Sequence, residues 1–581
     1  MISKTEGTKT MFDFSKRFFN FKKMLALIFS IVLLFVNDGG ATLWTDAVSL
    51  VSSAGAKNHL FSVYSHSFYD STVKLSSLAP IGKTADYKMY MAKNESEFCQ
   101  IAIRSTKGRR ESYIKVSDFT DKNGNVIPVE LYYEYQVELT GQTDFEYMPD
   151  PLVPMDHECS FFSLKETNNV FAIVAKTDKN TVAGDYTATV EYGNRNSDGN
   201  KYELSTAKIS LHVWDFELPT TPALETAFGN WSDWLNIGGM FNAEGEELQQ
   251  LKDYYYELLL SHRISPYNIP YSINDERAEK YLNDERMTSF CIGEGDYSKV
   301  QLNPDWAKKA YFYPIDEPSS QEAIDSYIRT TDYLKDVCPG YNMVTPMSCD
   351  KTNAVDRETG EPIYNIDIQN GRSNIMCVLT TVLVDEPGSL EKVLARQAKG
   401  DKFWTYVCCS PEPTRDMCDF FIQQQGLNHR ILFWQNYDIG SEGLLYWCAS
   451  YWYGMENNDV PEIWVRAHEW DAWSKTFGDG YLTYPAVKGM KTPNKFYAEY
   501  SFDKNEIFSS LRLESIMNGV EDYDYLKLAE NLIGKDKTDK ILHKVTTSLT
   551  EFTYSDSVFR NARIELGNAI EQASNKVMAA V

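Results

Sequence analysis

The hydrophobic positions of the chain change their period once, near residue 220. Over residues 60–220 they fall at every second position, in short runs such as EFCQIAIRS (97–105), VFAIVAKT (170–177), DYTATVEYG (185–193) and AKISLHVWDF (207–216), with turn signals such as DKNGN (121–125) between them. Alternation sends successive side chains to opposite faces, so these runs predict antiparallel strands, and together they predict a β-sandwich. Pro219 and Pro222 in ELPTTPALET (217–226) mark a boundary. Beyond it, single apolar strands alternate with helical segments, the pattern of a parallel sheet. The candidate strands are LETAFGN, RISPYNIPY, MTSFCIG, KAYFYPI, YNMVTPMS, NIMCVLTTV, KFWTYVCC and GLLYWCAS; eight of them predict a (β/α)8 TIM-like barrel over residues 223–535. In the segment Ser319–Cys338 the residues Ile324, Tyr327, Ile328 and Leu334 share a helix face, with Ser319 and Glu322 as its capping box. SSLRLESIMNGVEDYDYLKLAENL (509–532) predicts a barrel-closing helix with a break at Gly519, and residues 536–581 a helical extension.

The first 47 residues belong to neither domain. The apolar run MLALIFSIVLLFV (24–36) follows Lys16, Arg17, Lys22 and Lys23 and precedes Gly39, Gly40 and Ala41, which is the layout of a signal peptide. The expected location is therefore secreted or at the cell surface. A membrane is touched only if this short segment stays uncleaved as an anchor. Acidic residues outnumber basic ones, 82 to 57, for a net charge of -25, which disfavours nucleic acid as a partner and favours neutral substrates. Aromatics make up 14% of the chain, with 37 Tyr and 12 Trp, and such flat amphipathic rings suit the apolar faces of sugars as well as they suit a core. The ten Cys show no CxxC pair and no zinc-ligand spacing. Cys408 and Cys409 stand side by side in an apolar run, as buried free thiols do. No metal or organic cofactor is implied, and none of the eight His has a catalytic setting.

Chemistry concentrates in KAYFYPIDEPSS (309–320), where Asp316, Glu317 and Pro318 follow an apolar strand and precede a capped helix. In a barrel that is the C-terminal face, where active sites are built. Hydrolysis of a glycosidic bond needs a proton donor for the leaving oxygen and a second group that stabilises a cationic transition state. Two adjacent carboxylates can supply both, since mutual repulsion keeps one protonated while the other is ionised. The same residues also suit a surface loop in which Asp316 caps the next helix and Glu317 is solvated. The tripeptide does not decide between these, because Asp-Glu-Pro recurs at 385–387.

A longer set of motifs does more. KNESEFCQIAIRS, VWDFELPTTPALETAFGNW, YFYPIDEP, ILFWQNYDIGSEGLLYWCASYW and SLRLESIMNGVEDYDYL occur in this order over residues 85–535, and the chain thereby resembles glycoside hydrolase family 123 and the related domain-of-unknown-function 4091 proteins. The resemblance implies a sandwich followed by a barrel and a glycan substrate, with hydrolysis of β-linked N-acetylgalactosamine by substrate-assisted catalysis. It further implies that Asp316 orients the 2-acetamido group and that Glu317 is the general acid and then the base. Neighbouring residues on an extended strand point apart and do not readily flank one bond as nucleophile and acid, which agrees with an internal nucleophile. Trp404, Tyr406, Trp447, Tyr451 and Trp452 lie near the ends of later strands, and either line the sugar pocket or pack the barrel. Arg512, Glu514, Glu521 and Asp522 are read as helix-capping and salt-bridge residues. A different sugar, transfer to an acceptor sugar, and a non-catalytic glycan-binding surface protein are the alternatives.

Overall fold

The period-two runs form two sheets whose inner faces meet, antiparallel throughout except where Asp86–Lys93 runs parallel to Lys201–Glu217. The computed structural model describes residues 63–108, 110–139, 147–452, 455–456, 460–467, 475–492 and 500–580, so the apolar run at 24–36 lies outside the described residues. One sheet orders its strands Tyr64–Asp70, Ser96–Ser105, Asn168–Lys176, Val129–Glu138 and Tyr147–Met155; the main path of the other runs Asp86–Lys93, Lys201–Glu217, Gly184–Arg195, Arg110–Val116 and Glu158–Ser163. Ile101, Ile103 and Phe171 of the first sheet share one buried cluster with Ile114, Val190 and Ile209 of the second. The Ser96–Ser105 strand is buried on both faces, because Phe98 on its outer side meets Leu511 of a later helix.

After residue 220 the strands pair in parallel. Their order is Glu225–Phe228, Gly443–Tyr446, Lys402–Val407, Ile375–Leu379, Asn342–Met347, Ala310–Phe312 and Phe290–Cys291. This barrel has seven strands where the pattern predicts eight. The eighth candidate, RISPYNIPY, passes through the gap between the first and last strands without joining the ladder. It makes three backbone bonds there: Phe228 N to Ser265 O (3.0 Å), Tyr267 N to Phe228 O (2.7 Å) and Cys291 N to Tyr267 O (3.0 Å). Pro266 has no N–H to donate, so the segment closes the barrel as an irregular bridge.

The helix Leu511–Ile533 is continuous through Gly519. Glycine is there for close approach, not for a break: a Cβ would stand 2.1 Å from a ring carbon of Phe433. The N-cap is Ser510, and Arg512, Glu514, Glu521 and Asp522 are buried in the helix body. Arg512 holds Asp150 of the sandwich at 2.8 Å, and Glu514 holds His262 at 2.8 Å. Asp522 accepts from Arg430 (2.8 Å) and Arg563 (2.8 Å), while Arg430 and Arg563 also pair with Glu97, and Arg563 with Glu95. The acids of KNESEF and of NGVEDYD thus meet across two guanidinium groups. Against the cost of burial, those two cations hold the Asp522 carboxyl below its ordinary value. The helix Asp556–Ala580 supplies Arg563 and lies on the sandwich, with Trp214 donating to Asn568 (3.0 Å) and the Asp215 N–H to Glu571 (2.8 Å).

Candidate active site

The Ala310–Phe312 strand is short because Pro314 ends its hydrogen-bonding. Asp316 and Glu317 consequently lie on a turn beyond the strand, not on extended backbone as the pattern predicts. Glu317 has φ +41°, in the left-handed region that a residue with a Cβ enters at a cost on the order of 1–2 kcal/mol. Such strain persists only where the surroundings over-determine it, and it concentrates at functional positions. The next helix is Gln321–Val337, and its cap is Ser320, whose Oγ accepts from the Ala323 N–H at 3.2 Å. The expected cap, Ser319, instead gives its carbonyl to the Asn353 N–H (2.9 Å). Among the described residues Asp316 caps no helix.

Each carboxylate is served by one phenol. Tyr313 donates to Asp316 Oδ1 at 2.8 Å, and Tyr406 donates to Glu317 Oε1. Burial first, and then the charge of the neighbouring carboxylate, pushes both phenols well above their ordinary value, so they stay protonated as donors. Among the described residues neither Asp316 nor Glu317 is ion-paired to a Lys or Arg. Both charges also act on the buried Cys377 thiol, which burial already pushes up.

Period two along the strands sorts the aromatic candidates into layers. Tyr311 and Tyr313, and likewise Trp404 and Tyr406, are two residues apart and share the barrel interior. Trp404 is one layer below the site: its ring meets Tyr311 (5.8 Å between centroids) and its N–H donates to Glu225 at 3.1 Å, at the start of the first barrel strand. It packs the barrel. Trp452 also packs, buried with its N–H on the Thr483 carbonyl (2.9 Å) and its ring against Phe241 (5.8 Å). Tyr406 reaches Glu317. Trp447 and Tyr451, both half-buried, form an aromatic corner with ring centroids 5.2 Å apart.

That corner rests on an acid which the sequence does not single out. Asp479 accepts from the Trp447 indole N–H at 2.9 Å and from the Tyr446 hydroxyl at 3.2 Å, and burial raises it to about 6 despite those bonds. Gly480 beside it has φ +80°, and a Cβ there would stand 2.2 Å from the Trp447 ring. Asp233, after the first barrel strand, is buried with Ser450 and Cys448 as donors (3.1 and 3.4 Å), and burial raises it to about 7. Tyr313 was legible as the partner of Tyr311 at period two. Asp479 and Asp233 carry no local signal, since their partners lie far away in sequence.

A parallel barrel whose C-terminal face presents two carboxylates held by neutral donors, with an aromatic corner beyond another strand of the same face, defines a glycosidase type of site. Residues 301–529 match the family model "Glycoside hydrolase 123, catalytic domain", so the likeness to that glycosidase family lies in this stretch of the barrel. The match includes the carboxylate turn, Tyr406 and Asp479, and begins after the first two barrel strands. A family 123 glycoside hydrolase from Clostridium perfringens, solved for the details of glycolipid glycan hydrolysis, aligns with a TM-score of 0.60 at 13% identity, over 88% of this chain and 98% of that one. At that identity the likeness is one of fold, and it spans sandwich and barrel together. The CooA pilin subunit of enterotoxigenic Escherichia coli aligns over 26% of this chain and 96% of its own, at 12% identity and a TM-score of 0.17, too low to define a shared fold. No curated protein matches the chain.

Proposed function

We infer that this chain is an exported, retaining glycosidase that removes β-linked 2-acetamido sugars, N-acetylgalactosamine foremost, with the acetamide of the substrate as the nucleophile. The observation that carries this reading is the placement of both carboxylates on consecutive residues of one turn, each held by a phenol. Acid and nucleophile in a two-carboxylate retaining mechanism stand about 5–5.5 Å apart on either side of the bond, whereas consecutive residues enter the site on one segment of backbone. In the reaction Glu317 protonates the glycosidic oxygen while the acetamide oxygen attacks the anomeric carbon and the aglycone departs. Asp316, steadied by Tyr313, orients the acetamide and stabilises the charge that develops on its nitrogen. Glu317 then takes a proton from the water that opens the bicyclic intermediate. The Trp447–Tyr451 corner offers its faces to the sugar ring. Glycolipid glycans, whose hydrolysis is described for the similarly folded clostridial enzyme, are the natural compounds to test.

The test is a panel of aryl β-glycosides. Those with a 2-acetamido group should be cleaved with retention, those with a free 2-hydroxyl poorly, and a thiazoline analogue of the intermediate should inhibit. A sugar ester trapped on a protein carboxylate, or equal rates on both series, would defeat the mechanism.

A further inference from the structure

Two thiols stand on the same face of the barrel as the carboxylates and have no part in the reaction above. Cys408 and Cys409 follow the Lys402–Val407 strand that carries Tyr406. Neighbours on an extended strand send their side chains to opposite faces. Here the chain has left the strand: the Cys408 N–H bonds back to the Ser410 carbonyl at 3.0 Å, and this tight loop turns both side chains to one side. Their sulfurs are 4.0 Å apart. Both residues are half-buried, in contrast to the fully buried Cys99, Cys338, Cys377, Cys418 and Cys448. The two thiols are unequal. The hydrogen bond between the two sulfurs holds the Cys409 thiol below its ordinary value, although burial and the charges of Asp479 and Glu317 oppose this; the same bond, with burial, pushes Cys408 well above. A low-lying thiolate beside a protonated partner is the arrangement of an attacking and a resolving cysteine.

We propose that Cys408 and Cys409 are a reversible modification site: a vicinal dithiol in the wall of the active site that closes to a disulfide on exposure to a small-molecule disulfide. The Cys409 thiolate attacks one sulfur of the oxidant, whose S–S bond breaks, and the other half leaves as a thiolate. Cys408 then loses its proton and its sulfur attacks Cys409, forming the intramolecular bond and expelling the second half. Overall, two protein thiols and one disulfide give one protein disulfide and two small thiols. Adjacent Cα atoms lie about 3.8 Å apart, closer than the usual span of a disulfide, so the ring is strained and a dithiol reductant should reopen it readily.

Trypsin makes the test direct, because the peptide Phe403–Arg415 contains these two cysteines and no other. The reduced full-length protein is treated with oxidised glutathione, its remaining thiols are alkylated, and the digest is weighed. The expected peptide is unalkylated, lighter by two hydrogen atoms than its reduced form, and returns to the dithiol with dithiothreitol. A peptide bearing two alkyl groups, or a persistent glutathione adduct, overturns the proposal. Cys408→Ser should trap the first step as a glutathione adduct on Cys409, and failure to form that adduct also counts against it. None of these readouts depends on the glycosidase reading.

Discussion

The barrel carries two Asp-Glu-Pro turns of opposite character: one follows the Ala310–Phe312 strand, the other ends the short helix Thr380–Asp385. Asp385 and Glu386 are fully engaged: Arg415 grips both oxygens of Asp385 (2.6 and 2.8 Å), and Glu386 accepts the backbone N–H groups of Asp350 (3.0 Å) and Lys351 (2.9 Å). Arg415 holds the Asp385 carboxyl below its ordinary value. Asp316 and Glu317 have one neutral phenol each and a strained backbone at Glu317. Chemistry therefore follows the partners, not the tripeptide. A carboxylate neutralised by a guanidinium or consumed by amides builds structure, while one steadied by a phenol keeps an oxygen for a proton or a ligand.

The largest expected break in this comparison is Glu317→Gln against Glu386→Gln. The first keeps its shape, loses its proton chemistry, and should lower kcat by about 10²- to 10⁴-fold with an unchanged melting temperature. The second should keep the wild-type kcat and melt earlier, since an amide offers one acceptor oxygen where the carboxylate offers two. Equal losses of rate in the two variants would remove the distinction drawn here.

Glu521-Asp522 extends the comparison to a third acid pair, this one inside the fold. Asp522→Asn leaves Arg430 and Arg563 with less compensation at 0% exposure of the acid, and should cost about 3–5 kcal/mol in chemical denaturation. Asp316→Asn should leave stability intact and slow the chemical step. If Asp522→Asn denatures at the wild-type midpoint, the network does not hold the domains as described.

Asp479 sharpens the contrast through pH. Its folded value, about 6, lies above the unfolded 3.8, so its contribution is fully present below 3.8 and is lost as pH rises through about 6. Asparagine keeps an acceptor for Trp447 without that titration. The stability of Asp479→Asn relative to wild type should therefore grow across this window, by up to about 3 kcal/mol, and a flat difference would show that the carboxyl is not buried as the structure places it. The smallest effect belongs to Asp385→Asn, which breaks a largely exposed ion pair. It should cost less than about 1 kcal/mol and leave kcat untouched; a rate loss would place the second turn in the active site as well.

Much of the architecture could be read from periods. The alternating runs became strands of a sandwich, and seven of the eight later runs became parallel barrel strands. RISPYNIPY was misread because apolar content counts equally in a strand and in a bridge, while the missing N–H of Pro266 matters only once neighbouring strands are in place. Gly519 was misread as a break for the same reason: only the position of Phe433 shows what its missing Cβ accommodates. At the site, Asp316, Glu317 and Tyr406 were legible and are brought together. Trp404 and Trp452 were not separable from Trp447 by residue type.

By itself, the sequence determined the local facts: which faces are apolar, where a strand must stop for lack of a donor, and that two acids stand just beyond such a stop. Backbone hydrogen bonding and side-chain alternation are short-ranged, so they are written in neighbouring residues. Only the tertiary structure decided which Asp-Glu-Pro is answered by an arginine and which by phenols, which tryptophan sits one layer too deep, and that Asp479 supports the aromatic corner. Those outcomes depend on charge, burial and contact between residues far apart in sequence, from Glu97 with Arg430 to Tyr406 with Glu317. Solvation and Coulomb energies are set by everything within several ångströms, and only the folded chain specifies what lies there.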